Sequence, residues 1–227
     1  MPTFEDNRTS DRVRGLTGRT SSFWKAKFVC EWLLAIGLLV TLVPLLLLLA
    51  LLVKVSSRGP VFHVDSRTGR NGRVFRLYKF RSMKVGVAAV LGPDGKVLTF
   101  DDDVRLTPAG RFLRLGFDEL PQLWNIIRGD MCLIGPRPDI PEEKARYTPR
   151  QRRRLGVLPG ITGLAQVLGG RELNNAQNYE LDVRYIERST ALTDLAILLL
   201  TLPYSLGARG LGRWFLPRYM EGIEDLE

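Results

Sequence analysis

From Trp32 to Val53 the chain reads WLLAIGLLVTLVPLLLLLALLV, 22 residues without a charge. As a helix this run is about 33 Å long, close to the hydrocarbon thickness of a bilayer. A membrane helix is therefore the default reading, and everything else must fold around it. A cleavable signal peptide fits poorly, because the run is too long and no small-residue cleavage site follows. Pro44 sits near its middle, where it removes the backbone hydrogen bond to Val40 and divides the run into halves of about 15–18 Å. Arg14, Arg19, Lys25 and Lys27 precede the run, and Lys54, Arg58, Arg67, Arg70 and Arg73 follow it. Positive flanks on both sides favour keeping both ends cytoplasmic. A spanning helix and a re-entrant one broken at Pro44 both remain open on these residues alone.

The rest of the 227 residues is enough for one domain of ordinary size. Lys and Arg number 33 against 24 Asp and Glu, a net charge of +9 that favours anionic partners. Nucleic acid, anionic lipid and phosphorylated substrates share that property, but no helix-turn-helix, finger or aromatic-basic signature supports nucleic acid. Cys30 and Cys132 have neither metal spacing nor a disulfide framework and read as packing residues. His63 is the single histidine, which argues against a histidine-based triad or zinc site.

Residues 1–22 are polar and basic and read as a mobile tail, followed by the membrane helix at 23–55, the main domain at 56–206 and a C-terminal tail at 207–227. GPVFHV and VFRLYKFRSM are strand candidates on either side of a turn containing Asn71-Gly72, so a β-hairpin is expected. Lys84 to Asp103 reads as an exposed loop, and a short helix is expected around Pro108 to Arg114. Leu120, Leu123, Trp124 and Ile127 have the spacing of a helix packing one face, with Pro121 in its first turn and Gly129 ending it. LPGITGLAQVLGG reads as a glycine-rich loop and strand. From Gln177 to about Leu206 the pattern is helical, and its end LAILLLTL is far too short to span a bilayer. With Arg209, Arg213, Trp214, Phe215 and Arg218 behind it, this end suits the membrane interface or the completion of a core.

Asp118 and Glu119 lie side by side at the start of the helix predicted after Phe117. Acids there cap free N–H groups and complement the dipole. The same setting keeps a carboxylate ionised and attracts phosphate oxygens, which suits nucleophilic attack on phosphorus. Neighbouring residues on a helix diverge, so this is not a glycosidase pair. Phosphoryl transfer needs cations, and Lys79, Arg81, Arg114 and Arg137 are candidates, the last restrained by Pro136 and Pro138.

KFRSM, DELPQLWNIIRGDMCLIGPRPDIPE and PGITGLAQV, in that order after a proline-interrupted apolar helix, resemble the bacterial sugar transferase family, the monotopic polyprenyl-phosphate phosphoglycosyl transferases. The resemblance runs from about Lys25 to about Leu202, and the length is that of the minimal catalytic form. It implies an α+β fold: a small catalytic domain with a short β-hairpin, a re-entrant membrane helix broken at Pro44, and interfacial amphipathic helices. The implied location is the cytoplasmic face of the bacterial inner membrane. The implied reaction moves a sugar phosphate from a UDP-sugar to polyprenyl (undecaprenyl) phosphate and releases UMP. By the same resemblance Asp118 is the nucleophile and a ligand of Mg²⁺, and Glu119 supports the second half-reaction. Arg137 and Glu142 of the PRPDIPE element are implied at the nucleotide, and Lys79 and Arg81 at the diphosphate. Gln122 and Asn125 also fit the motif, as helix-surface or supporting residues.

Two departures from the family pattern carry consequences. Arg114 precedes the dyad by three intervening residues rather than four, which weakens its claim on a phosphate. Val43-Pro44 replaces a Ser-Pro break, so help for the freed backbone groups must come from elsewhere, with Thr41 the candidate. The run RQRRR at Arg150 to Arg154 reads as a solvated face or as a contact for anionic headgroups. The rival to an enzyme is a non-catalytic membrane protein that binds polyprenyl phosphate or nucleotide sugar; the intact dyad speaks against it.

Overall fold

A computed structural model describes residues 21–87, 103–208, 210–223 and 225–226. Residues 1–20 of the expected basic tail and most of the loop expected between Lys84 and Asp103 lie outside them. The fold mixes helix and sheet. A long helix α1 (Ser21–Ser56) leads into an antiparallel hairpin, β1 (Phe62–Thr68) and β2 (Val74–Phe80). The hairpin is where the sequence puts it. Asn71 and Gly72 both take positive φ at its turn, a conformation that these two residue types tolerate best. A one-turn helix α2 (Gly110–Leu113) follows, then a 3-10 turn (Phe117–Gln122) running into α3 (Leu123–Ile127). Next come β3 (Cys132–Ile134), β4 (Gly160–Thr162) and α4 (Leu164–Leu168), then α5 (Asn175–Arg188), α6 (Ala191–Ser205) and α7 (Leu211–Phe215).

Several expectations need correction. Residues 177–206 are not one helix: Asn174 caps α5 with a reciprocal bond to Gln177, and Thr190 caps α6 by accepting from the Thr193 N–H. The buried Ser189 between them is extended, so the helical ladder stops and restarts within two residues. LAQVL in the glycine-rich segment is helix, not strand. The segment after 206 is no tail, because Leu216, Tyr219 and Ile223 are buried in the main core beside Leu181, Tyr185, Ile186 and Ile197.

The membrane segment is helical from Ser21 to Ser56 with Pro44 inside it, so helix continues on both sides of the expected break. Proline removes one backbone bond, and the turns on either side carry the helix through. The change at Pro44 is instead a change of partner. Ala35, Leu38, Leu39 and Leu42 pack on the main core. Leu45, Leu49, Ala50 and Val53 pack on a second cluster with Phe80, Ala109 and Leu113. The other side of α1 is exposed leucine and valine: Leu33, Leu34, Val40, Val43, Leu47, Leu48 and Leu51. Thr41 does not serve the carbonyl of Val40; its hydroxyl donates to the carbonyl of Gly37 at 2.8 Å. Cys30 is exposed on this helix, while Cys132 is buried as expected.

The helix α6 answers both readings offered for it. Thr193, Ile197 and Leu200 are buried, and Leu192, Leu195, Leu198, Leu199 and Leu202 face outward. Trp214 and Phe215 of α7 are exposed too, Trp214 at 86 %. An outward apolar surface of this extent does not belong in water.

Candidate active site

Two glycine-bearing turns bring distant parts of the chain together. Strands β3 and β4 pair in parallel, with Cys132 opposite Gly160 and Ile134 opposite Thr162. Past their ends, Gly135 N–H donates to Thr162 O and Gly160 N–H to Pro136 O, each at 2.9 Å. A Cβ on Gly160 would lie 2.1 Å from Gly135 N, and one on Gly163 would lie 2.2 Å from Gly135 O. Only glycine permits that approach, which is why the GPRP and PGITG segments seat against each other. Arg137 projects from this packed turn, exposed while Gly135, Pro136 and Pro138 are buried.

The dyad enters from the other side. Gly116 has φ +110° and turns the chain between α2 and the 3-10 segment, placing Asp118 and Glu119 in the first turn of that segment. The acids therefore begin a tight 3-10 turn, and α3 starts only at Leu123. This shifts the buried face. Leu123, Asn125 and Ile126 point inward and Trp124 is exposed, where i, i+3, i+4 spacing had put Trp124 inside. Asn125 is fully buried: its Nδ2 donates to Arg76 O at 2.7 Å and its Oδ1 accepts the Tyr78 N–H at 3.2 Å. The side chain thereby occupies backbone groups of β2, one residue before Lys79. That role was missed, although the motif singled out the residue.

At the centre, the Lys79 ammonium donates to Glu119 Oε1 at 2.8 Å and the Arg137 guanidinium donates to the same oxygen at 3.0 Å. Burial alone would raise the Glu119 carboxyl; the charges of Arg137 and Lys79, with their hydrogen bonds, win and hold it at about 2. Asp118 goes the other way. Burial, and then the neighbouring negative charge of Glu119, push it up to about 6 against Lys79, Arg114 and Arg137. Arg114 is thus within electrostatic reach of Asp118 despite its shortened spacing. The result is an ionised glutamate holding two cations and, beside it, a carboxylate whose charge is poorly compensated.

Two candidates are not seen bonded to the dyad. Arg81 is buried with its guanidinium committed to the carbonyls of Ser57, Arg58 and Pro60, at 2.9, 3.0 and 2.6 Å. It ties the end of β2 to the segment leaving α1, and those donors are not aimed at a diphosphate. Glu142 is exposed in the 3-10 turn Pro141–Arg146, where the buried acid is Glu143, paired with Arg146. His63 is exposed beside Asp65, opposite Lys79 in the hairpin register.

The basic run divides between surface and interior: Arg150 and Arg152 are exposed, and Arg154 is buried. Arg150 pairs with Glu180 and Glu187, and Arg153 with Glu187. Arg154 is buried among Asp139, Asp182, Tyr147 and Tyr179. A run of charges carries no signal of which member faces inward, so sequence reading could not single out Arg154.

Among the described residues no group of three or more His, Cys, Asp and Glu converges as a metal cage. Mg²⁺ does not need one, since it is commonly held by one or two carboxylates together with substrate phosphates and water. Asp118 fits that role: its raised carboxyl marks a place where added positive charge is welcome.

A family description of bacterial sugar transferases matches residues 22–207. The chain is 41% identical over 153 residues to the galactosyl transferase CpsE of Streptococcus agalactiae, a match that covers 63% of this chain and 34% of that one. It is 38% identical over 190 residues to the exopolysaccharide production protein ExoY of Sinorhizobium fredii, covering 78% and 84%. It is 37% identical over 209 residues to the UDP-glucose:undecaprenyl-phosphate glucose-1-phosphate transferase of Xanthomonas campestris, covering 86% and 42%. The chain thus spans less than half of the first and third of these relatives, and most of the second.

Proposed function

The chain belongs to the bacterial sugar transferase family, and on that premise we propose that it moves a sugar 1-phosphate from a UDP-sugar to polyprenyl phosphate. A relative is named for that reaction with UDP-glucose and undecaprenyl phosphate, and others for undecaprenyl-phosphate glucose or galactose phosphotransfer. The observation that carries the reading here is the dyad's split electrostatics. Glu119 is ionised and gathers Lys79 and Arg137, while Asp118 beside it is half-buried with excess negative charge.

In the first half-reaction an Asp118 carboxylate oxygen attacks the phosphorus that bears the sugar. The bond from that phosphorus to the bridging oxygen breaks, and UMP leaves with the electron pair. An oxygen of polyprenyl phosphate then attacks the same phosphorus and the acyl–phosphate bond breaks, returning the Asp118 carboxylate and giving the polyprenyl diphosphate sugar. Lys79 and Arg137 meet the charge that gathers on the phosphoryl oxygens, and Glu119 holds both cations in place. Mg²⁺, held by Asp118 and the diphosphate, would neutralise the leaving group's charge.

The membrane arrangement supports the same reading. Residues on both sides of Pro44 pack on the one catalytic domain, which suits a helix that enters the bilayer and returns, so that the site faces the cytoplasm at the headgroups. The outward leucines of α6 and the Trp214–Phe215 pair would lie in the interface, where a lipid-borne phosphate is met. UMP release by detergent-solubilised protein, over a panel of UDP-sugars with Mg²⁺, tests the whole reading. Sustained release beyond one UMP per chain that requires undecaprenyl phosphate is expected; folded protein that releases none with any donor refutes it.

A further inference from the structure

Arg137 reaches Glu119 from a turn whose own backbone needs fixing, and the structure has one side chain behind it. Arg154 is 6 % exposed, and its guanidinium spends its donors on three different elements. Nε and Nη2 donate to Asp182 Oδ2 of α5 at 2.9 and 2.8 Å. Nη1 donates to Asp139 Oδ2 at 2.6 Å and to the Tyr147 hydroxyl oxygen at 3.1 Å. Nη2 also donates to the backbone carbonyl of Arg137 at 2.8 Å. The plane of the group lies over the Tyr179 ring, 4.3 Å from its centre, and Tyr147 donates in turn to Asp139 Oδ2 at 2.6 Å.

We propose that Arg154 is a positioning residue for the reaction: a buried strut that fixes the Arg137–Pro138–Asp139 turn to α5, so that the Arg137 guanidinium is held at Glu119 before substrate arrives. The inference rests on the function proposed above. Arg154 grips the turn on both sides of Pro138, at the carbonyl before it and the carboxylate after it. Pro136 and Pro138 limit the backbone dihedrals, but they do not say where the turn sits relative to the dyad. The bond to α5 does. Lysine could not replace it, since a point charge with three rotatable donors cannot address Asp182, Asp139 and the Arg137 carbonyl from one fixed plane. Small losses of placement matter here, because phosphoryl transfer is governed by positioning, and a shift of about 1 Å can lower a rate about 100-fold.

The test is a double-mutant cycle on the full chain in detergent, with UMP release followed using a radiolabelled donor. R154K is expected to lower kcat about 10–100-fold in the wild-type background. In an R137A background the same change is expected to cost less than about twofold, because a strut for an absent side chain has nothing to hold. An equal loss in both backgrounds would overturn the proposal in favour of a general structural role. An unchanged kcat in R154K would overturn it outright. Should R154K fail to fold, Y147F removes one bond at the edge of the cluster while keeping the ring; a smaller loss, again confined to the background with Arg137, is the expected result. A readout independent of turnover is the signal of the Arg137 Nη2 protons, which donate to Glu119, in protein labelled with ¹⁵N-arginine, assigned by its absence in R137A. Slow solvent exchange in wild type and fast exchange in R154K or Y147F is expected, and equal exchange overturns the strut. A wild-type chain that releases no UMP would refute the function, and the exchange comparison would still decide the strut.

Discussion

Asp118 and Glu119 are adjacent in sequence, yet one carboxyl is pushed to about 6 and the other held at about 2. The difference lies in which of them receives Lys79 and Arg137, a division of labour that two neighbouring letters do not disclose. The raised group has a signed consequence: the attacking form of Asp118 is the ionised one, so kcat/KM should fall about tenfold per pH unit below about pH 6 and level off above it. A profile flat from pH 5 to 8 would remove Asp118 as the nucleophile. Asp118→Asn keeps the shape and loses the attacking oxygen; we expect UMP release to drop at least about 1000-fold with the fold and membrane association intact. Asn125→Ala should act differently. It leaves the Arg76 carbonyl and the Tyr78 N–H without their buried partner, costing about 2 kcal/mol or more of stability, measured by denaturant unfolding. Unchanged stability would show that β2 does not depend on that clamp.

At the scale of elements, periodicity and turn chemistry served well where structure is local. The hairpin follows from two β-rich runs around Asn71-Gly72, and the long helix from an apolar run without a charge. They served poorly where a partner distant in sequence chooses the face. Trp124 is exposed and Asn125 buried because β2 offers its backbone to Asn125, and no spacing rule contains that strand. The prediction that belongs here concerns α1. With Cys30 and Cys132 replaced, Ser22→Cys and Arg58→Cys should both react with a membrane-impermeant maleimide in inverted vesicles, and neither should react in intact spheroplasts. Labelling of the two sites from opposite sides would mean a spanning helix.

The whole molecule combines a net charge of +9 with an apolar surface made by α1, α6 and α7. Part of that charge is spent on acids of the chain itself, at the surface by Arg150, at its edge by Arg153 and inside by Arg154. What remains is expected to favour anionic bilayers, so binding to liposomes should rise with anionic lipid and weaken with salt. Binding indifferent to both would assign the association to apolar contact alone.

The sequence by itself determined the membrane helix, the hairpin, and the presence of an acidic dyad among arginines and a lysine, because each is written in contiguous residues whose hydropathy, turn preference or charge acts locally. Only the tertiary structure decided the rest. Arg114 came to the dyad and Arg81 went to the carbonyls beyond α1; Arg154 left a run of exposed-looking charges to brace the turn that carries Arg137. The reason is physical. A cation's role is set by the oxygens that surround it, and those oxygens come from strands and helices that only folding brings within hydrogen-bonding distance.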